Sequence, residues 1–281
     1  MKMENDNMIV SDLTKRYRKK IALNHISCEF ESGIYGILGP NGAGKTTLIR
    51  CILGLEHYSG NISDVNRNEI GYLPQKFSLF KQLSVYEALE YMCILKNAEQ
   101  SEIERILPEV NLLEERNTKV KNLSGGMLRR LGIAQALIGD PSFLIVDEPT
   151  VGLDPKERVH FRNLLARIAK NRTVLITSHI VEDIEAIADK ILLLKEGKIL
   201  LSGDIEEVVT GISGKVGECL VSDGDISGFS EYNITDIMRK GNATRLHMVG
   251  DELPECEPVE PSLQDVYFYY LGGSPMSEAH F

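Results

Sequence analysis

Short continuous apolar runs alternate along the chain with segments whose apolar residues recur at helical spacing, a pattern that predicts an α/β architecture. Residues 34–38 read as a strand ending at a glycine-rich turn, and 46–55 as the helix that follows. Ser84-Val85-Tyr86-Glu87 is a capping box that opens a helix to about residue 95, and Ser101-Glu102-Ile103-Glu104 opens another. Residues 126–138 place apolar side chains at 127, 131, 134 and 138, one stripe of a helix. The runs 143–146 and 174–177 are apolar throughout, as in strands covered on both faces. Residues 191–194 and 199–201, separated by Lys195-Glu196-Gly197-Lys198, read as a hairpin. Beyond Gly203 the pattern weakens to a helix at 205–209, a few short strands and an amphipathic helix near 262–271. No repeat or long low-complexity tract is present, and no run approaches the ~18 apolar residues of a membrane-spanning helix.

Charge changes this picture at one place. The 281 residues carry a net charge of −10, but from Asp204 onward there are four basic and fifteen acidic residues, against 27 and 26 before it. A shift of that size predicts a domain boundary near Ser202-Gly203-Asp204, with domains at 1–203 and 204–281. So acidic a C-terminal part disfavours nucleic acid as its partner, because phosphate contacts need Lys and Arg. The start of the chain leads into no apolar signal segment, so secretion by that route is not expected. The cysteines at 28, 51, 93, 219 and 256 have no metal-ligand spacing and read as free thiols of a reducing compartment.

Gly39-Pro40-Asn41-Gly42-Ala43-Gly44-Lys45-Thr46 fits the P-loop pattern G-x-x-x-x-G-K-[ST] between a strand and a helix. Its glycines let successive N–H groups point at phosphate oxygens, and the helix opening near Gly44 adds its positive end. Lys45 is expected on the β- and γ-phosphates and the Thr46 hydroxyl on Mg²⁺, with Thr47 beside them. About a hundred residues later Leu144-Ile145-Val146-Asp147-Glu148 is an apolar strand ending in two carboxylates. Alone it reads equally as a strand-to-loop junction with solvated acids. Beside a P-loop, Asp147 is positioned to reach Mg²⁺ and Glu148 to polarise an attacking water.

Leu123-Ser124-Gly125-Gly126-Met127, together with Asp147-Glu148 and His179, resembles the nucleotide-binding subunit of an ABC transporter over residues 8–203. The resemblance implies an α/β P-loop cassette: a RecA-like core, a small antiparallel β arm and a helical signature subdomain at about 76–138. It also implies that two cassettes, identical or related, dimerise head to tail, with each ATP between one P-loop and the partner's signature. The residues agree: Ser124 stands at a helix N-cap, and Gly125 and Gly126 leave that helix end open to an anion. Met127 replaces a Gln often found there, with little expected effect.

By the same resemblance Gln75 matches the glutamine that touches Mg²⁺ or water, His179 the switch histidine on the γ-phosphate, and Asp154 a dimer-interface aspartate. Asp154 is also a helix cap, with Pro155 at the first helical position and Glu157 completing a capping box. Tyr17 lies where the family places an aromatic on adenine, within a basic stretch, Lys15 to Lys20, that reads equally as a solvated hairpin. Only ten residues separate Gly60 from Gly71, so the β arm is expected to be trimmed.

Residues 260–267, Glu-Pro-Ser-Leu-Gln-Asp-Val-Tyr, resemble the ending of single-cassette subunits of drug, antibiotic or lipid exporters. Leu263, Val266, Tyr267 and Tyr270 fall at helical spacing, suited to the chain's own core or to a dimer contact, so 204–281 reads as a small α+β accessory domain, dimerising or regulatory. The expected activity is ATP hydrolysis at the cytoplasmic face of the membrane, powering a separate permease chain, with export favoured over import. A soluble ABC ATPase acting on ribosomes or DNA would resemble a double cassette or carry coiled-coil insertions, which are absent; a non-hydrolysing regulator is disfavoured by intact Lys45, Asp147, Glu148 and His179.

Overall fold

The apolar runs become the strands of one sheet. In the computed structural model, which describes residues 7–63, 69–222, 227–241 and 243–272, six strands stand in the order β5-β6-β7-β3-β8-β9. They are β3 (Gly33–Leu38), β5 (Ile70–Leu73), β6 (Phe143–Asp147), β7 (Thr173–Thr177), β8 (Lys190–Lys195) and β9 (Lys198–Asp204). β5, β6, β7, β3 and β8 run parallel, so each must be joined by a crossover, and helices supply them. Complete burial of every residue of β6 and β7 explains their unbroken apolar sequence. The β8–β9 turn needs only Glu196 and Gly197, both at positive φ, as a tight hairpin requires.

A separate antiparallel sheet, β2-β1-β4, is built from β1 (Met8–Tyr17), β2 (Lys20–Phe30) and β4 (Ser59–Ser63). Its inward residues Met8, Val10, Leu23 and Ile26 join Tyr35, Phe143 and Leu175 of the large sheet in one core. The expected trimming of this arm concerns the connection from β4 to β5, of which 64–68 lie outside the described residues.

Helix α1 (Lys45–Ile52) follows β3 and stops short of residue 55, because Gly54 takes a left-handed conformation. Between β5 and β6 lie α2 (Val85–Lys96), α3 (Ser101–Glu109) and α4 (Gly125–Leu137). The Ser84/Glu87 box closes on both sides as expected. That of α3 does not form: Gln100 is already helical, Ser101 bonds Glu99, and Glu104 pairs instead with Arg116 at 3.0 Å. Lys96 reaches the carbonyls of Gln135, Ala136 and Ile138 at the end of α4, where a cation satisfies orphan acceptors. After β6, α5 (Pro155–Ile168) leads to β7 and the short α6 (Val181–Glu185) to β8.

The chain divides into two compact units, Met1–Ile199 and Leu200–Phe281, four residues before the charge shift and inside β9. The second unit holds α7 (Ile205–Thr210), the antiparallel sheet β11-β12-β10-β13 and α8 (Leu263–Leu271). Its strands are β10 (Val216–Ser222), β11 (Ile234–Lys240), β12 (Ala243–Val249) and β13 (Glu257–Pro258), packed around Cys219, Ile234, Leu246 and Met248.

His247 of β12 ties that sheet to α8. Its Nε2 lies 2.9 Å from Asp265, which caps α8 together with Ser262, and its Nδ1 lies 3.1 Å from Glu218. The bond to Asp265, working against burial and aided by Glu218, raises the imidazole from 6.5 to about 9. Burial would raise Asp265, but its bonds from His247 and Ser262 outweigh that and hold it low. A raised folded value means the His247 contribution is complete below about 6.5 and lost as pH rises through about 9. Amide-exchange protection of α8 is therefore expected to fall by on the order of 2 kcal/mol between pH 6 and pH 10, and His247→Gln to flatten that slope. Equal slopes in both proteins would contradict the ion pair.

Candidate functional site

β3 ends against a loop whose glycines are required by their surroundings. Gly39 (φ +150°) has the Leu194 carbonyl 2.3 Å from where a Cβ would stand, and Gly44 (φ +113°) has the Ala22 carbonyl at 2.8 Å. The β8–β9 turn braces the loop from below, the Gly197 N–H bonding the Ala43 carbonyl at 2.9 Å. α1 then begins with no side-chain cap and no acidic residue in its first turn, which keeps its positive end available to an anion. Lys45 is buried, its Nζ donating to the carbonyls of Gly39 (2.5 Å) and Pro40 (3.3 Å). Burial lowers its ammonium; the nearby charges of Glu148 and Asp147 act the other way.

Those carboxylates end β6, and both are buried. Glu148 stands in the left-handed region (φ +48°), which turns its side chain out of the strand's alternation. One residue of the neighbouring strand fixes both: the Thr177 hydroxyl donates to Asp147 Oδ1 at 2.6 Å and accepts from the Glu148 N–H at 3.0 Å. Burial raises Asp147, with the charge of Glu148 adding to it, while Thr177 and Lys45 restrain the rise. His179, two residues past β7 and half exposed, puts Nδ1 2.7 Å from Glu148 Oε2.

A cleft of about 290 Å³ is lined by Tyr17, Lys20 and Ala22, by residues 40–47 including Asn41, Gly42, Thr46 and Thr47, and by Gln75 and Glu148. Tyr17 ends β1, at the two-residue turn to β2, so it is both hairpin residue and cleft wall. Lys15 lies 4.6 Å from its ring centroid, and its hydroxyl bonds Glu56 and Thr47. Lys15 itself is buried on Glu56 at 2.8 Å, so the basic stretch is not uniformly solvated. Gln75 is exposed, but its carbonyl accepts from Arg129 at 2.8 Å, which ties its loop to α4.

Ser124 caps α4 by accepting the Met127 N–H at 3.2 Å. Gly125 faces open space, as an approached backbone should; Gly126 does not, because the Glu157 carboxylate occupies the place of its Cβ. Glu157 therefore leaves its capping box half made. Its N–H bonds Asp154 at 2.9 Å, while its carboxylate turns to Gly126 and to Arg130 at 3.9 Å. Ser124, Gly125, Gly126 and Asp154 do not line the cleft; Gly39, Asp147 and His179 join it through Lys45, Thr177 and Glu148. Thr177 and Arg129 carry no sequence signal of their own, and Glu157 signalled only a capping box. Only the fold brings them to the motifs.

The ABC transporter family model matches residues 23–151. The Nod factor export ATP-binding protein I of Rhizobium johnstonii is 34% identical over 91% of this chain and 86% of its own length. The chain belongs to the ATP-binding subunits of ABC transporters. The linearmycin resistance ATP-binding protein LnrL of Bacillus subtilis is 34% identical over 72% of this chain and 71% of its own. Among solved structures, cbiO1 of Clostridium perfringens, part of the ABC transporter complex cbiONQ, superposes with a TM-score of 0.69 at 27% identity, over 74% of this chain and 92% of that one. The α/β P-loop cassette architecture expected from the motifs is thus the observed one. ABC cassettes bind ATP, hydrolyse it in step with transport, dimerise and work with a membrane permease. Among the described residues of this cassette, no helix is long and apolar enough to cross a membrane.

Proposed function

We propose that this cassette powers an exporter by closing on a second cassette, a copy or a relative, around ATP. The observation that carries the reading is the division of the site. One cleft gathers the P-loop, Gln75 and Glu148, while the open, Ser124-capped end of α4 stands outside it. A helix N-terminus with an open glycine and no catalytic carboxylate is suited to grip a phosphate held by another chain. Export is favoured by the relatives' roles in Nod factor export and linearmycin resistance.

In this reading residues 39–47 cradle the phosphates, Lys45 neutralises the β- and γ-phosphates, and Tyr17 stacks on adenine. Mg²⁺ fits the donor set of Thr46, Gln75 and the buried Asp147, all oxygens as a hard cation requires. When bound it would offset charge on the phosphate oxygens. Glu148 orients and deprotonates the attacking water; His179, already on Glu148, is placed to sense the γ-phosphate. Asp154 serves the interface between cassettes. Residues 1–203 form the cassette and 204–281 an accessory, dimerising or regulatory, domain.

Past Gln75 the surface carries Phe80, Tyr91, Ile94 and Leu95 exposed, with Phe80 and Tyr91 edge to face at 5.5 Å. An apolar patch of that kind suits a permease's coupling element, and it would hold the chain at the cytoplasmic face of the membrane. Purification of the tagged cassette from detergent-solubilised membranes is expected to bring down a polytopic membrane protein. Ile94→Glu with Leu95→Glu should release that protein without changing ATP binding. Undiminished co-purification with the double variant would move the docking site elsewhere.

A further inference from the structure

The second unit contains a pair of thiols that nucleotide chemistry does not use. β13 pairs with β10 antiparallel, Gly217 opposite Pro258 and Glu218 opposite Glu257. One step further along that register stands Cys219 opposite Cys256. Directly opposed residues of antiparallel strands have Cα atoms about 4.5–5.5 Å apart, within the span of a disulfide. Two side-chain observations agree with the register. The Cys256 thiol is tucked over Gly217, where a Cβ would stand 2.2 Å from its sulfur, and the Cys219 thiol donates to the Glu255 carbonyl at 3.4 Å while meeting that of Cys256.

We propose that Cys219 and Cys256 form a reactive dithiol, a modification site closed to a disulfide by small neutral or cationic disulfides. Both line a cavity of about 350 Å³ in the second unit, so a small reagent has room beside them. Cys219 is buried and Cys256 half-buried, which assigns the roles: Cys256 attacks and Cys219 resolves. In the first step the Cys256 thiolate attacks the reagent, forming a mixed disulfide and expelling one reagent thiol. In the second the Cys219 thiolate attacks the Cys256 sulfur, forming the Cys219–Cys256 bond and expelling the other. Two protein thiols are oxidised and one reagent disulfide is reduced to two thiols. Glu218, Glu255 and Glu257 outnumber Arg245 around the cavity, so a cationic disulfide enters more readily than an anionic one. The remaining cysteines have no such geometry to offer: Cys51 and Cys93 are buried in the first unit, and burial pushes the Cys28 thiol up to about 12.

The test treats the full reduced chain with cystamine or oxidised glutathione, quenches with acid, and counts and maps thiols after unfolding. Five thiols are expected to fall to three, with a Cys219–Cys256 peptide that dithiothreitol reverses, and cystamine is expected to act roughly tenfold faster than glutathione disulfide. Cys219→Ser should stop at a mixed disulfide on Cys256, and Cys256→Ser should leave Cys219 unmodified. Native ATP hydrolysis by both serine variants serves as the control for folding. Retention of all five thiols in the native chain, a linkage to any other cysteine, or glutathione disulfide outpacing cystamine would overturn the proposal.

Discussion

Glu148→Gln is expected to hydrolyse ATP about 10²–10⁴-fold more slowly than the native cassette while binding it undiminished. The substitution keeps the size and hydrogen-bonding reach of the side chain and the left-handed backbone that presents it, so the cleft survives. What it removes is the carboxylate proposed to take a proton from water, which lies 2.7 Å from His179. Asp147 does not replace it, because the Thr177 hydroxyl holds its carboxylate and burial favours its neutral form. Phosphate release at saturating ATP gives the rate, and equilibrium binding gives the affinity. Hydrolysis at the native rate would take Glu148 out of the reaction.

Lys45→Ala acts earlier, on binding. Lys45 is the buried cation facing two carboxylates, and it is held ready by the carbonyls of Gly39 and Pro40. Without it the cleft presents Glu148, with Asp147 close behind, to a polyphosphate, and Lys20 at the cleft wall and Arg50 near Asp147 offset only part of that charge. The loss of charge-assisted bonds to phosphate is worth on the order of 3 kcal/mol, so affinity for ATP should fall about 100-fold or more. Titration of a fluorescent ATP analogue measures this directly. An affinity within twofold of native would place the phosphates elsewhere.

The difference between these variants, one binding without turnover and the other failing to bind, reflects how the site is divided along the chain. That division was legible in the sequence wherever local residues dictate local geometry. A strand, a glycine turn and a helix start within a dozen residues announce the P-loop, and apolar residues ending in two acids announce the strand end beside it. The parallel sheet followed from runs too apolar to be half exposed. Thr177 was not legible, because its role depends on β6 and β7 lying side by side with Asp147 opposite Thr177. Nor was Glu157, where a local capping box competed with a tertiary contact to Gly126 and Arg130 and lost. The helix at 101 opens where expected, but its capping box fails for a similar reason, since Glu104 pairs with Arg116 instead. Gly126 is the instructive case. Its type was anticipated, but its smallness serves packing of a carboxylate, while Gly125 alone faces open space.

One chain is proposed to hold only part of the site, with ATP completing it between two cassettes. Size-exclusion chromatography with light scattering of Glu148→Gln, with and without ATP, tests it most directly. A monomer near 31 kDa is expected without nucleotide and a dimer with it, since binding persists while turnover stops. A dimer already formed without ATP would assign dimerisation to residues 204–281, whereas a variant that binds ATP and remains monomeric would contradict the shared site.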